Sequence, residues 1–515
     1  MPLFARRDFY ETAVYFYDSP AQCYALAGRR FTGNPNVELL TTFPYNRPMT
    51  TKQPPPPQGR WRKTFIQRRV SANVDYLRPH RLNWSAIVKP LDESLSSQAE
   101  DMPWRTVRSL RYFWLDGLFA AISENFYLGF VTLYALAYGA TNGQVGTMTA
   151  VANLLGALAL FPGARLVERA GQRKSVVVWS GGGVARVLLL LLAMMPFAIT
   201  QPALAIATII ILNGLRAFMG NLANPGWTSM VADLVPGAIR GRYFGSRNMA
   251  MGVAALVVAP LAGRIINVGN GWNGFEQFGY QAIFFLAFLF GMVSTFSFQR
   301  IEEPIATAEQ KAEHHRGDLR RAIRQTPGYV GLVASAFVWN LALQVAAPFF
   351  NVYLVNAFDS TATTIGLLAS VSSLTALLGQ RVFGRLLDVR GAFWVAVVTG
   401  FLIPGLPLAW VFITADWQVG IINTFGGFLW AGYNLANFNL LLTLTPDEQR
   451  PRAVALYQTA VFSSAVIGPI LGGFIADTVS YQLIFGLSAA GRLLGMALFT
   501  IFTVQLVKKK GHGSF

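Results

Sequence analysis

The stretch Arg165-Leu166-Val167-Glu168-Arg169-Ala170-Gly171-Gln172-Arg173-Lys174 stands between two apolar runs, and a near copy, Arg385-Leu386-Leu387-Asp388-Val389-Arg390-Gly391, stands between two more. One offset of 220 residues carries Glu168 onto Asp388, Gly171 onto Gly391 and Gly146 onto Gly366. Asn221-Leu-Ala-Asn224 returns as Asn434-Leu-Ala-Asn437, Arg240 and Arg242 return as Arg450 and Arg452, and Pro260-Leu-Ala-Gly263 returns as Pro469-Ile-Leu-Gly472. The order is the same in both copies, with the offset drifting as loops differ in length. A repeat of this period among apolar runs points to duplicated helical halves, and so to a machine with an inside and an outside state.

The 515 residues are 53% hydrophobic and only 13% charged, about half the charge of an average soluble domain. From Tyr112 to Leu506 the chain is a series of apolar runs, each of roughly the 20 residues a helix needs to cross a hydrocarbon core. Barrel strands would alternate polar and apolar residues, and these runs do not. The spacing predicts twelve transmembrane helices, near 113–138, 143–163, 175–198, 202–224, 244–266, 279–298, 328–356, 362–383, 393–414, 416–442, 453–475 and 481–506. The tenth is the least regular, because Asn434, Asn437 and Asn439 crowd its end.

A net charge of +17 invites a nucleic-acid reading, but the distribution argues otherwise. Of 42 Lys and Arg, 38 fall in the N-terminal segment, around the loops after even-numbered spans, or in the tail; the loops on the other side hold Arg264 alone. This positive-inside bias predicts cytoplasmic termini and a multi-pass protein of the plasma membrane. Anionic headgroups then account for the basic loops, and no nucleic-acid partner is expected. Arg186, Arg216 and Arg492 remain, inside spans. Cys23 is the single cysteine and His80, His314, His315 and His512 lie outside the spans, so no metal site and no cofactor is expected.

Residues 1–111 are polar, Arg-rich and interrupted by Pro54-Pro55-Pro56-Pro57, which reads as a largely disordered cytoplasmic extension. Trp61, Phe65, Tyr76 and Trp84 leave room for a small interaction module. Arg6-Arg7-Asp-Phe resembles a twin-arginine start, but no apolar stretch follows it. Translation from Met102 would leave only a short basic leader. The remaining divisions are a first six-helix bundle at 112–298, a charged linker at 299–327, a second bundle at 328–507 and a basic tail at 508–515.

On these residues, the chain from about Tyr112 to Leu506 resembles a major facilitator superfamily transporter. That family's signature loop between spans two and three is similar to Ala164-Arg-Leu-Val-Glu168-Arg169-Ala-Gly171-Gln-Arg173-Lys174, with Ala for the usual first Gly and Glu for Asp. The second copy, Gly384-Arg-Leu-Leu-Asp388-Val-Arg390-Gly391, keeps Gly and Asp but lacks the trailing basic pair. Glycine permits a tight turn and close helix approach, and a carboxylate suits a neighbouring helix N-terminus. The phrase therefore reads as an inner gate, with Glu168, Arg169, Gly171 and Arg173 in one half and Asp388, Arg390 and Gly391 in the other. Asp233, at the end of the fourth span, is the nearest acid for its basic residues.

The resemblance implies that spans 1, 4, 7 and 10 line a central cavity. The residues agree: Asn340, Gln344 and Asn351 share one face of the seventh span, and Asn423, Trp430, Asn434 and Asn437 share one face of the tenth. Asn213, Arg216, Asn221 and Asn224 stand in the fourth, with Ser123, Glu124, Asn125 and Tyr127 in the first. Polar residues facing lipid are costly, so these face water, solute or one another. Asn125, Tyr127, Asn213, Asn340, Gln344, Asn351, Asn423, Trp430 and Asn434 are the expected cavity residues; helix-to-helix hydrogen bonding is the competing use of the amides.

Glu124 falls near the middle of the first span, where an unpaired carboxylate could exchange protons. Leu212-Asn-Gly-Leu-Arg216-Ala-Phe-Met-Gly220 resembles the Leu-x-x-x-Arg-x-x-x-Gly motif of proton-coupled relatives, which implies a coupling role for Arg216. Glu124 and Arg216 are the expected switchable pair, against a fixed structural ion pair. Asp116 lies nearer the inner surface, and Arg186 and Arg492 lack obvious in-span acid partners. These two arginines could bind an anionic solute or snorkel. The exporter phrase Gly-Pro-x-x-Gly-Gly is incomplete in span five, at Ala259-Pro260-Leu-Ala-Gly263, and complete in span eleven, at Gly468-Pro469-Ile-Leu-Gly472-Gly473.

The expected function is alternating-access secondary transport of a small organic or amphipathic solute by a monomer, as proton-coupled export. A proton-coupled nutrient importer and a non-transporting membrane scaffold or sensor are the alternatives. No nucleotide-binding phosphate loop or nucleophile arrangement stands in the sequence, which argues against an enzyme and against ATP-driven pumping.

Overall fold

The computed structural model describes residues 102–170, 172–236, 239–271, 277–303, 329–444 and 450–509, and every regular element among them is helical. In the first half, span 1 is Trp104–Tyr127 with Val131–Ala137, span 2 is Asn142–Ala170, and span 3 is Arg173–Val177, a π-helical turn Val178–Val184, and Ala185–Ala198. Spans 4, 5 and 6 are Pro202–Leu234, Arg240–Asn270 and Phe278–Gln299. In the second half, span 7 is Tyr329–Ala346 with Phe349–Phe358, span 8 is Ala362–Arg390, and span 9 is Ala392–Leu402 with Gly405–Trp410. Spans 10, 11 and 12 are Trp417–Leu444, Arg450–Thr478 and Tyr481–Lys509. Eleven of these are long and apolar enough to cross a membrane. Span 10 has the length, at 28 residues, but its asparagines dilute it.

Helix boundaries depart from the apolar runs where amphipathic turns extend them. Span 1 starts at Trp104, ahead of its apolar run, so the last residues assigned to the extension belong to the first half. Leu110 is fully buried there, and the Tyr243 hydroxyl of span 5 donates to its carbonyl at 2.6 Å. Breaks fall where the backbone lines a cavity. Ala347-Pro348 interrupts span 7, where proline removes a helical N–H, and Leu128-Gly129-Phe130 interrupts span 1.

Span 2 packs on span 4, span 1 on span 6, span 8 on span 10 and span 7 on span 12. Across the halves, span 2 meets span 11 and span 5 meets span 8. These crossings use the repeat reciprocally. A side chain at Gly146 would strike the carbonyl of Pro469, and one at Gly366 would strike the carbonyl of Ala259. The sequence offset pairs Gly146 with Gly366; in space each sits against the other half's proline phrase. This explains both phrases without an appeal to bending: backbone meets backbone where they cross.

We call the end of the bundle that carries the two charged phrases the basic end. The cross-half contacts lie toward the opposite end. The Asp477 carboxylate accepts from the backbone N–H of Asn142 at 3.1 Å and of Gly143 at 2.7 Å, at the start of span 2. The matching crossing is neutral: Asn267 donates to the Thr363 hydroxyl at 2.9 Å. Deeper in, Asn153 donates to the Ala465 carbonyl and Ser370 to the Leu256 carbonyl. Toward the basic end, no hydrogen bond or ion pair joins the halves among the described residues. One apolar cluster, containing Tyr134, Val145, Phe349 and Ile365, draws on both halves at the opposite end. The cluster around Phe113 and Tyr243 and that around Phe383 and Leu435 each stay within one half. Among the described residues, the contacts that join the halves gather at the end opposite the basic end.

A candidate solute cavity and its buried charges

Between the halves lies a cavity of about 1710 Å³, larger than the few hundred to 1,000 Å³ of a typical small-molecule pocket. Asn125, Asn213, Asn340, Gln344, Asn351, Asn423, Trp430 and Asn434 all line it. Tyr127 is the exception. It is 1% exposed, and its hydroxyl donates to Asn213 Oδ1 behind the wall. Asn423 also serves the competing use, since its amide donates to the Leu368 carbonyl of span 8 at 2.9 Å.

Glu124 projects into this space from span 1 and meets two arginines. Arg216 of span 4 reaches both its oxygens through Nη2, and Arg186 of span 3 donates from Nη1 to Oε1 at 2.9 Å. The Arg216 guanidinium also covers the Tyr127 ring, 3.9 Å from its centroid. Arg186 donates to the Ser123 hydroxyl at 3.1 Å, and Ser123 in turn donates to the Ala287 carbonyl at 2.6 Å. The expected Glu124–Arg216 pair is thus one side of a triad. Two cations share one anion, so the triad carries a net positive charge while every member is held by charge-assisted bonds.

Arg186 therefore does have an in-span partner. Span 3 aims it through its π-helical turn, where Gly181, Gly182 and Gly183 follow one another. A π turn carries an extra residue and so rotates the face beyond it. Gly182 also lets span 6 close in, and Thr295 donates to its carbonyl at 2.8 Å.

Two further charges belong to the wall. Asp116 is 7% exposed. Its Oδ1 accepts from Ser294 at 2.7 Å, and its Oδ2 lies 3.7 Å from Arg247 Nη2. Arg247, which charge counting groups with the basic loop before span 5, is 3% exposed inside that span. Its guanidinium stands 4.5 Å from the Phe113 ring centroid. In the second half Arg492 of span 12 also lines the cavity at 2% exposure, and its Nε and Nη2 find no hydrogen-bond partner among the described residues.

The charged phrases lie at the basic end, outside the cavity lining. Arg173 is buried, donating from Nη1 to Asp233 at 2.5 Å and to Ser229 at 3.0 Å, and from its backbone N–H to Glu303 at 2.8 Å. Asp233 and Ser229 stand on span 4 of its own half, and Glu303 at the start of the linker. Glu168 and Arg169 are exposed, as are Asp388 and Arg390, the last set 5.4 Å from the Trp394 ring centroid. Gly391 turns the chain with φ +80°, where a side chain would be strained. Gly171 lies outside the described residues.

A family model described as Major Facilitator Superfamily matches residues 113–354 and 332–514. The chain belongs to the Major Facilitator Superfamily. This superfamily member is 25% identical over 421 residues to a multi-drug resistance efflux pump PmrA homolog of Lactococcus lactis subsp. lactis, covering 79% of this chain and 95% of that protein. It is 24% identical over 412 residues to the multidrug resistance protein MdtG of Salmonella typhi, covering 78% and 95%. Its fold is similar to an inward-facing bacterial homologue of the lysosomal transporter Spinster, at TM-score 0.55 and 15% identity over 79% of this chain and 96% of that one. It is also similar to a bacterial homologue of the iron transporter ferroportin in an inward-facing state, at TM-score 0.59 and 16% identity over 77% and 99%.

In this superfamily member Arg173 ties spans 3 and 4 to the start of the linker. Arg173→Ala should destabilise the purified protein by about 3 kcal/mol, the low end for leaving a buried charge unpaired. Thermal unfolding reads this, and Lys at 173 should recover only part of it, because a point charge cannot serve Asp233 and Ser229 at once.

Proposed function

We propose that this transporter exports a small organic or amphipathic solute across the plasma membrane by alternating access, as a monomer, coupled to protons. The observation that carries the reading is Glu124, held by two arginines in the wall of a cavity that one end of the bundle closes. Protonation of Glu124 removes the anion both arginines share, which frees Arg216 and Arg186 and changes the relative stability of the two conformations. The positive-inside bias supports a cytoplasmic basic end with cytoplasmic termini, and the joining of the halves at the other end supports an inward-facing conformation. In the other conformation the Glu168–Arg173 loop and Asp233 on one side, and Asp388, Arg390 and Gly391 on the other, would approach and shut the basic end. Apolar and aromatic wall residues such as Trp339 and Trp430 suit an amphipathic body, as do the efflux-pump names of the sequence relatives.

The test is accumulation in proteoliposomes under imposed pH gradients, with ethidium and 2-naphthalenesulfonate as probes. Both are permanently charged, so neither follows the gradient passively. An acid lumen should drive at least one of them in above protein-free vesicles. The import reading draws on the exporter phrase being complete in span 11 rather than span 5. It requires accumulation under an alkaline lumen instead. Accumulation indifferent to either gradient removes proton coupling.

A further inference from the structure

The cavity's charges do not balance, and half of the excess stands where no acid accompanies it. Its ionisable lining comprises Asp116, Glu124, Arg186, Arg216, Arg247 and Arg492. Five of these stand in the first half, where each carboxylate is bound by arginine. Arg492 stands alone in the second. The acids of that half are Asp359, Asp388, Asp416, Asp447, Glu448 and Asp477. Of those the structure describes, Asp359 and Asp416 lie in loops and Asp388 and Asp477 toward helix ends, whereas Arg492 is well inside span 12. Its burial removes water from a guanidinium with five donors, and two of its nitrogens are left without an acceptor. An unpaired buried cation is costly, and the cost is relieved when an anion arrives.

The surroundings describe the rest of the ligand. Gly491 and Gly495, on either side of Arg492, press span 12 against Ala342 and Trp339 of span 7. Trp339 stacks on Tyr433 with centroids 4.9 Å apart, and Trp430 lies edge-on to both. Arg492 therefore lines the same cavity as Trp339, Tyr433 and Trp430, while the triad belongs to the other half.

Building on the transport reading above, we propose that the solute is an amphipathic organic anion whose acidic group, a carboxylate, sulfonate or phosphate, docks on Arg492 while its apolar body lies along Trp339, Tyr433 and Trp430. The guanidinium fork binds any of these planar or tetrahedral oxyanions through paired N–H donors. Bound anion gives this unpaired cation the counter-charge it lacks, so affinity follows the acidic group first and the ring system second.

The experiment uses purified full-length protein and a matched naphthalene set: 2-naphthoate, 2-naphthalenesulfonate, 2-naphthyl phosphate, neutral 2-naphthylmethanol and the permanent cation (2-naphthylmethyl)trimethylammonium. Quenching of tryptophan fluorescence and thermal shift give binding. At least one anion should bind roughly tenfold or more tightly than the alcohol and the cation, and the best of the three identifies the acidic group. Arg492→Gln should reduce that preference to about one, and Arg492→Lys should keep part of it. Equal or tighter binding of the cation by the native protein overturns the inference, as does an anion preference that survives Arg492→Gln. Should the glutamine variant fail to fold, the comparison across the set in the native protein still decides. The same probes in proteoliposomes separate the two readings. Accumulation of the cation but not the anions leaves transport standing and removes the anion; anion binding without movement of any probe does the reverse.

Discussion

Glu124→Gln is expected to abolish solute-driven proton movement in reconstituted vesicles, with a loss of at least tenfold. Glutamine keeps the size of the side chain and one carbonyl acceptor but cannot take or release a proton in this range. It also leaves Arg186 and Arg216 facing each other without the anion that holds them. Breaking a buried pair costs roughly 3–5 kcal/mol, and the lower figure applies because the cavity offers these arginines some water. Binding of the solute should persist, since the residues beneath it in the second half are untouched. Asp116→Asn serves as the comparison. That carboxylate is also buried and also faces an arginine, but at 3.7 Å and with Ser294 already bound. Coupling that survives Glu124→Gln and fails in Asp116→Asn would move the proton site to the second pair.

Gly366→Leu is expected to stop transport by a different route. A side chain there meets the Ala259 carbonyl across the half-to-half crossing. Backbone cannot rotate aside as a flexible side chain can, so the closed end is wedged apart. Overpacking of this kind typically costs 1–3 kcal/mol, and 1.4 kcal/mol is tenfold in an equilibrium. Accessibility reports the shift directly. With Cys23 replaced by serine and Ala369→Cys placed in the cavity wall, an impermeant maleimide should label the native background from the basic end only. In Gly366→Leu, labelling from the opposite face should rise at least tenfold. Gly486→Leu, in span 12 with open space around it, should leave both rates unchanged. Equal labelling in the two leucine variants would mean that the crossing does not hold this end shut.

Much of this was legible in the residues because membranes leave few choices: apolar length, alternate basic loops and a shared offset define twelve spans in two halves. The asparagine faces of spans 7 and 10 reached the cavity for the same reason, since hydrocarbon excludes them. What escaped was relational. Arg186 showed no partner because the π turn that aims it breaks the 3.6-residue period by which faces are read. Arg247 was grouped with loop charges because it stands at the start of its apolar run, and its pairing with Asp116 depends on how two helices cross. Tyr127 sits one turn from Glu124, yet the fold turns its hydroxyl into the wall. The Gly146–Gly366 correspondence was visible, but a sequence offset pairs equivalents and not neighbours.

The two crossings that join the halves are equivalent by descent and unequal in chemistry. At one, a carboxylate sits on two backbone N–H groups at the positive end of a helix; at the other, an amide meets a hydroxyl. Charge-assisted bonds are roughly twice as strong as neutral ones. Parting the halves therefore has a preferred order: the span 5–span 8 side yields first, while spans 2 and 11 stay joined. On the alternating-access reading proposed above, the molecule would open as a door does, with a hinge side and a free side, and a solute passing that face would move along the free edge.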